Sequence, residues 1–400
     1  MKTVGIAAEY NPFHNGHQYH IRETRRQAGE DACVIAVMSG DFVQRGEAAM
    51  FSKFARAEAA CLCGADLVVE LPLPWSLASA ERFASGAVDL LASLHVDVIS
   101  FGSETGTVDD LTELASLLKE KSFTEMVLSE LRQNPNQGFA AARQKMAERM
   151  LGKDLPLMQQ PNNILALEYL KAIQIRKYTM LPIAVKRIGA GHDQRGDSFY
   201  PSATELRERM RERNWDCRGI PDPASLIFRT EAERGRIAND SFRLGLIYLS
   251  RLRFLEESVF YTLPDSNEDL GRRLYKAIRK SRGYAEIIDI TATKRYSKAR
   301  VRRLCTSAVM GLQKSDFSDI PPYARILAFN DKGKRYIREM SGKTSIPLLI
   351  KPSNVKKMSV KAQRCFQIGA EAHETLNLIF RGKNQEEPGE DWRINPCFCN

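Results

Sequence analysis

A chain of 400 residues with 43% hydrophobic and 27% charged positions is long enough for two or three domains with buried cores, and that balance excludes a largely disordered polymer. Eight cysteines are too few for a disulfide framework, and Cys61/Cys63 and Cys397/Cys399 lack the two-residue gap of a zinc knuckle, so reduced thiols in a cytoplasmic protein are expected. The net charge of +10 suggests a polyanionic partner; the run Val4 to Ala8 is too short for a signal peptide and no segment offers ~18 uncharged residues, so neither secretion nor a membrane span is expected.

The first half alternates short β-branched apolar runs with amphipathic segments, which predicts strands at 3–8, 33–38, 66–71, 97–101 and 180–186. Helices are expected at 16–28, 52–63, 80–94, 109–120 and 162–174, with two more between 123 and 150. Strands apolar on both sides predict a doubly wound parallel-sheet α/β domain over 1–215. Gly219, Pro221 and Pro223 mark a linker over 214–223. Residues 216–400 then read as mainly helical, at 240–255, 268–282 and 298–313, with one small strand–helix–strand unit at 323–350.

Twelve basic residues against two acidic ones fall between Arg272 and Arg303, which equals the net charge of the whole chain. A neutral body therefore carries one basic segment, with Tyr284 and Tyr296 interleaved. Arg272, Arg273, Lys276, Lys294, Arg295, Lys298, Arg302 and Arg303 are its candidate RNA contacts, the alternative being a solvated helix face.

Directly after the first predicted strand comes Glu9-Tyr10-Asn11-Pro12-Phe13-His14-Asn15-Gly16-His17, and then a helix. Neither the dinucleotide G-x-G-x-x-G nor a P-loop stands at this turn. Gly16 admits a phosphate close to the backbone, free N–H groups and the helix dipole favour the anion, and His14 and His17 add donors on one side. Two alternatives stay open: a metal site completed by Glu9 or Asp41, and plain helix capping by the two histidines, with His20 structural. At a second helix start Ser202 or Thr204 can cap, and Arg207 points back at anything bound there.

NPFHNGH and SATELR together resemble the HIGH-motif nucleotidyltransferase superfamily. Adding MSGDFVQRGE, SKFARAEAA, GADLVVELP, FGSE, PNNILALEYL and RIGAGH, the chain resembles the tRNA(Met) cytidine acetate ligase family, most densely up to Arg207 and again over KRYSKARVRRL. Asp41 and Ala48 depart from that family's pattern, which has Asn and Pro there. The resemblance implies a Rossmann-like ATP-binding domain over 1–215 and a basic tRNA-binding domain over 216–400. It implies formation of acetyl-adenylate from acetate and ATP, with Mg²⁺, and acetyl transfer to the exocyclic amine of the wobble cytidine of elongator tRNA(Met). No resident metal and no obligate protein partner are expected.

Carried over by position, the ATP site comprises the stretch Ala7, Ala8, Glu9, Tyr10, Asn11, Pro12, Phe13, His14, Asn15, Gly16, His17, Gln18, Tyr19 and His20. Gly102, either Asn162 or Asn163, and Arg187 with Ile188 complete it. A carboxylate is ionised at neutral pH, so adenylation needs no general base; it needs charge stabilisation, for which His14, His17 and Arg207 are suited. Asp41, Arg45, Lys53 and Arg56 are candidate contacts to substrate or phosphate, with simple surface charge as the alternative. Competing functions are a small-molecule adenylyltransferase, of phosphopantetheine or nicotinate mononucleotide type, and a non-enzymatic RNA-binding protein with a relic nucleotide fold.

Overall fold

The computed structural model describes every residue except 106, 135, 189–198, 212–215, 318–319 and 381–387; within the expected linker, residues 214 and 215 thus lie outside the described residues. Among the described residues ten strands form: β1 (Thr3–Ala8), β2 (Cys33–Ser39), β3 (Phe42–Val43), β4 (Glu47–Ala48), β5 (Leu67–Leu71), β6 (Val98–Ser103), β7 (Leu181–Lys186), β8 (Ala324–Phe329), β9 (Leu348–Leu349) and β10 (Cys397–Phe398). The five expected strands are β1, β2, β5, β6 and β7, and they pair in parallel in the order β5-β2-β1-β6-β7. The chain starts a new direction at β1, so the carboxyl ends of β1 and β6 flank the crevice where ligands bind in such sheets.

Every residue of β2 and β5 is buried, because both faces are covered. On one face Val37, Leu67 and Ile99 pack with helices Ala80–Ser93 and Pro161–Arg176. On the other, Ile6 and Val34 pack with Phe13, Ala57, Leu206 and Phe228. A third cluster, around Tyr248, Phe260, Leu274 and Leu304, forms the helical region and takes in Phe42 of β3 and Leu73 just after β5. The helices there therefore sit against the carboxyl ends of the parallel strands.

The sheet is not confined to 1–215, nor wholly parallel. Residues 323–350 are no separate unit: β8 lies antiparallel on β5, with Arg325 opposite Glu70, and carries β9 and β10. The direction follows from the path, since the chain leaves the helical region at the carboxyl end of β5 and must run backwards along it. Helix Asp222–Glu233 also returns to the α/β layer, where Phe228 stacks on Phe51 with centroids 4.5 Å apart. The α/β layer thus draws on both sides of the expected boundary at 215/216. Helix Val360–Ile379, the longest described, begins at Ser359, whose hydroxyl accepts from the Ala362 N–H. Among the described residues no helix is long and apolar enough to cross a membrane.

Candidate active site

The chain leaves β1 through Glu9 and turns at Tyr10, which holds φ at 47°, a left-handed conformation costly for an aromatic residue. Asn11 anchors the turn by accepting from the Met50 N–H at 2.8 Å, and Phe13 is fully buried. Helix Asn15–Ala28 follows, capped by His14. His14 Nδ1 accepts from the Gly16 N–H at 3.0 Å, and the His14 N–H donates to His17 Nδ1 at 3.2 Å. The rings stack with centroids 3.7 Å apart. A Cβ on Gly16 would lie 2.9 Å from the His14 ring, so this stacking needs glycine.

Both Nδ1 atoms accept a backbone proton, which assigns the ring proton to Nε2 in each. The result is two neutral Nε2–H donors. Burial, then Arg187 and Arg207, push His14 down to about 3; burial, then His14 and Arg187, hold His17 well below its ordinary range. His20, hydrogen-bonded to Ser100 at 3.0 Å, is pushed down to about 4 by burial and Arg187. Capping therefore uses Nδ1 of each ring and leaves Nε2–H free of that role, so capping and an anion-binding role do not compete.

The second motif docks on the first. Ser202 Oγ accepts from the Glu205 N–H at 3.1 Å. Arg207 Nη1 donates to the Asn11 carbonyl at 2.8 Å and its Nη2 to Thr204 Oγ1 at 3.1 Å. The Asn15 side chain donates to the Phe199 carbonyl at 3.0 Å and its N–H to the Gly219 carbonyl at 2.8 Å. Tyr19 meets Tyr200 edge to face, while Gln18 is exposed. Glu9 accepts from the Gln44 N–H at 2.9 Å, and burial raises its carboxyl above the usual range.

Across the crevice Gly102 presents bare backbone to the Arg187 stem. Arg187 donates to Asn162 Oδ1 at 3.2 Å. Asn163 is fully buried and its Oδ1 is taken by Ser103 Oγ and the Glu104 N–H, so Asn162 is the residue of the pair that faces the crevice. Glu104 was not anticipated: it accepts from the N–H groups of Asn162 and Asn163, closing the start of helix Pro161–Arg176. Ile188 is exposed, and residues 189–192 of the RIGAGH segment lie outside the described residues.

Residues 1–391 match the family model described as HIGH Nucleotidyl Transferase. A tRNA(Met) cytidine acetate ligase of Thermoanaerobacter sp. is 36% identical over 411 aligned positions that span all of both chains. Thermotoga maritima TmcAL superposes over the full length of both chains at 30% identity, with a TM-score of 0.93 in its apo crystal form and 0.91 in the form bound with alpha-thio ATP. The chain belongs to the tRNA(Met) cytidine acetate ligase family. That membership sets aside the small-molecule adenylyltransferase and the relic binding protein.

In this ligase the four candidate contacts to substrate or phosphate separate. Arg45 is exposed on the tip between β3 and β4. Arg56, by contrast, is fully buried and spends its guanidinium on the carbonyls of Phe51, Glu9, Ser39 and Gly40. Lys53 is equally buried, with Nζ 3.0 Å from Glu70, 2.9 Å from Asp391 and 3.7 Å from Asp41. Burial opposes its charge, but Asp391 and Glu70 outweigh that and raise its pKa. Asp41 accepts from the Lys53 N–H and meets His373, whose other nitrogen meets Glu390; burial would raise the Asp41 carboxyl, yet His373 and Lys53 hold it low. Lys53, Arg56 and Asp41 are thus buried and bonded to one another's surroundings, and they fix the loop behind the crevice. The alternative of simple surface charge does not hold for Lys53 and Arg56, whose charges are satisfied inside.

The basic segment also divides. Arg302 Nε donates to the Arg45 carbonyl and Arg303 to the Gln44 carbonyl, so both are engaged by the turn between β3 and β4. Arg272 pairs with Glu268, Lys298 with Asp289, and Arg273 donates to the carbonyls of Thr291 and Ile290. Lys276 and Lys294 are exposed without an ion pair among the described residues, and Arg295 lies over the Tyr296 ring.

Proposed function

We propose that the ligase activates acetate with ATP at the β1/β6 crevice and passes the acetyl group to the exocyclic amine of the wobble cytidine of elongator tRNA(Met). An acetate oxygen attacks the α-phosphorus, the bond to the bridging oxygen breaks, and pyrophosphate leaves with acetyl-adenylate retained. The cytidine amine then attacks the acetyl carbonyl, AMP departs, and the amine loses a proton. Magnesium brought in with the triphosphate would offset the charge of its phosphate oxygens.

The observation that carries this reading is the stacked pair of neutral Nε2–H donors at a helix start, with Arg207 tied to the same turn. Neutral rings donate without needing a proton from solvent, and rigid capping fixes their aim before charge develops on the leaving group. Arg207 and Arg187 supply positive charge from opposite motifs, and Asn162 stands beside Arg187 to orient the nucleotide. The strand-end location and the nucleotide-bound Thermotoga relative support ATP as the occupant.

For RNA, Lys276, Lys294 and Arg295 offer the exposed charge that a phosphate backbone requires. Eight free cysteines suit a reducing cytoplasm. Incubation of unmodified elongator tRNA(Met) with ATP, isotope-labelled acetate and the ligase tests the reading: nucleoside mass spectrometry is expected to find labelled N4-acetylcytidine, and label on no nucleoside would overturn it.

A further inference from the structure

The turn joining β3 to β4 lies between the ATP crevice and the helical region. On its crevice side the Gln44 N–H donates to Glu9 Oε1 at 2.9 Å. On its other side one helix, Lys298–Val309, takes three successive carbonyls. Arg303 Nη1 donates to Gln44 at 3.4 Å, Arg302 Nε to Arg45 at 3.1 Å, and the buried Thr306 Oγ1 to Gly46 at 3.1 Å. Arg302 also pairs with Glu47 at 3.4 Å, and Arg303 with Asp265 at 3.6 Å. Gly46 has φ of +78°, and a Cβ there would lie 2.5 Å from the Arg303 nitrogen, so turn and helix touch backbone to backbone.

What this clamp presents is Arg45. Its guanidinium is exposed and has no partner among the described residues. It is near enough to Glu9 and Arg207 for its charge to act on both. Resting on the acetate-activation reading above, we propose that Arg302, Arg303 and Thr306 are positioning residues that hold Arg45 over the crevice, where its guanidinium binds an anionic reactant of the adenylation step. The clamping helix is capped by Ser297, two residues after the exposed Arg295. The exposed cations Lys294 and Arg295 thus precede the element that holds the turn. A planar fork at Arg45 suits either the acetate carboxylate or the terminal phosphates.

The test uses Arg302→Ala, Thr306→Val, Gly46→Ala and Arg45→Ala, assayed without tRNA for acetate-dependent pyrophosphate exchange into ATP and, separately, for tRNA affinity and its salt slope. Thr306→Val removes one hydroxyl at nearly constant volume but also unpairs the buried Tyr248 hydroxyl, so a thermal midpoint for each variant separates lost positioning from misfolding. The expected result is a fall in exchange kcat/KM on the order of 10- to 100-fold, with tRNA affinity and salt slope unchanged. A rise confined to the KM of acetate assigns Arg45 to the carboxylate; one confined to the KM of ATP assigns it to the phosphates. Combining Arg45→Ala with Arg302→Ala is expected to cost little more than either alone. Unchanged exchange with weakened tRNA binding, or losses that multiply in the double variant, would overturn the proposal. Absence of acetate-dependent exchange in the unmodified ligase would instead refute the function on which it rests.

Discussion

Arg207 bonds the Asn11 carbonyl at 2.8 Å, joining residues 196 positions apart and locking the second nucleotide motif onto the turn of the first. The same guanidinium donates to Thr204, so it is oriented from both ends before any ligand arrives. Arg207→Lys keeps the charge but not the two-pronged geometry. Acetate-dependent exchange is expected to fall about 10²-fold in Arg207→Lys and no less in Arg207→Ala, in line with removal of one preorganised donor. Exchange at the parental rate in Arg207→Lys would show that charge alone suffices.

His17→Ala removes an Nε2–H donor and the acceptor for the His14 N–H together. Loss of the donor is expected to slow exchange by about 10²- to 10³-fold, while loss of the cap costs only about 1 kcal/mol of stability. Exchange kinetics beside a denaturant curve separate the two effects.

Acidity gives a second handle on the same rings. In the free enzyme His14 stays neutral down to about 3, and His17 is likewise held low. The profile of kcat/KM for ATP is therefore expected to show no acid limb near pH 6.5, the ordinary histidine value. Stability behaves differently. Unfolded His14, His17 and His20 take up protons near 6.5 and the folded ones do not, so stability falls as pH drops below that value. His373 is held up to about 9 because Asp41 and Glu390 outweigh its burial; its contribution is complete below 6.5 and is lost as pH rises through 9. Thermal midpoints across this range check both limbs.

The α/β half was legible because its strands are continuous apolar runs and its site residues follow strand ends directly, as Glu9 follows β1 and Arg187 follows β7. Two things were hidden. The pairing of β8 with β5 joins segments more than 250 residues apart, and nothing local in either encodes that register. The fates of Lys53, Arg56, Arg302 and Arg303 were also hidden, because a basic residue on a helix looks alike whether it faces water or a buried acid. Helix Val360–Ile379 was missed although Ser359 gave a readable start: its buried side includes His373 and Thr375, which blur the apolar stripe. Glu104 lay in the FGSE segment with no spacing rule to mark it as a helix closure.

Lys53→Met tests the buried network. It would leave Glu70, Asp391 and Asp41 short of a cation, and breaking a buried pair costs about 3–5 kcal/mol. A large loss in denaturant midpoint is expected, with exchange per folded molecule nearly unchanged. A selective rise in the KM of acetate without loss of stability would return Lys53 to the substrate.

Replacing Lys276, Lys294 and Arg295 together with Ala is expected to weaken tRNA binding and to reduce the logarithmic salt slope by roughly 0.7 to 0.9 for each phosphate no longer neutralised. Exchange without tRNA is expected to stay at the parental rate, since Arg302 and Arg303, not these three side chains, bond the turn beside the crevice. An unaltered slope would identify the exposed basic surface as solvated charge.

The most direct measurement follows labelled pyrophosphate into ATP with the unmodified ligase, ATP, magnesium and no tRNA, with and without acetate. Exchange that appears only when acetate is added is the predicted result, because the helix-start donors act on a triphosphate attacked by a free carboxylate. Exchange independent of acetate, or its absence while acetyl-CoA alone supports acetylation of tRNA, would contradict the account.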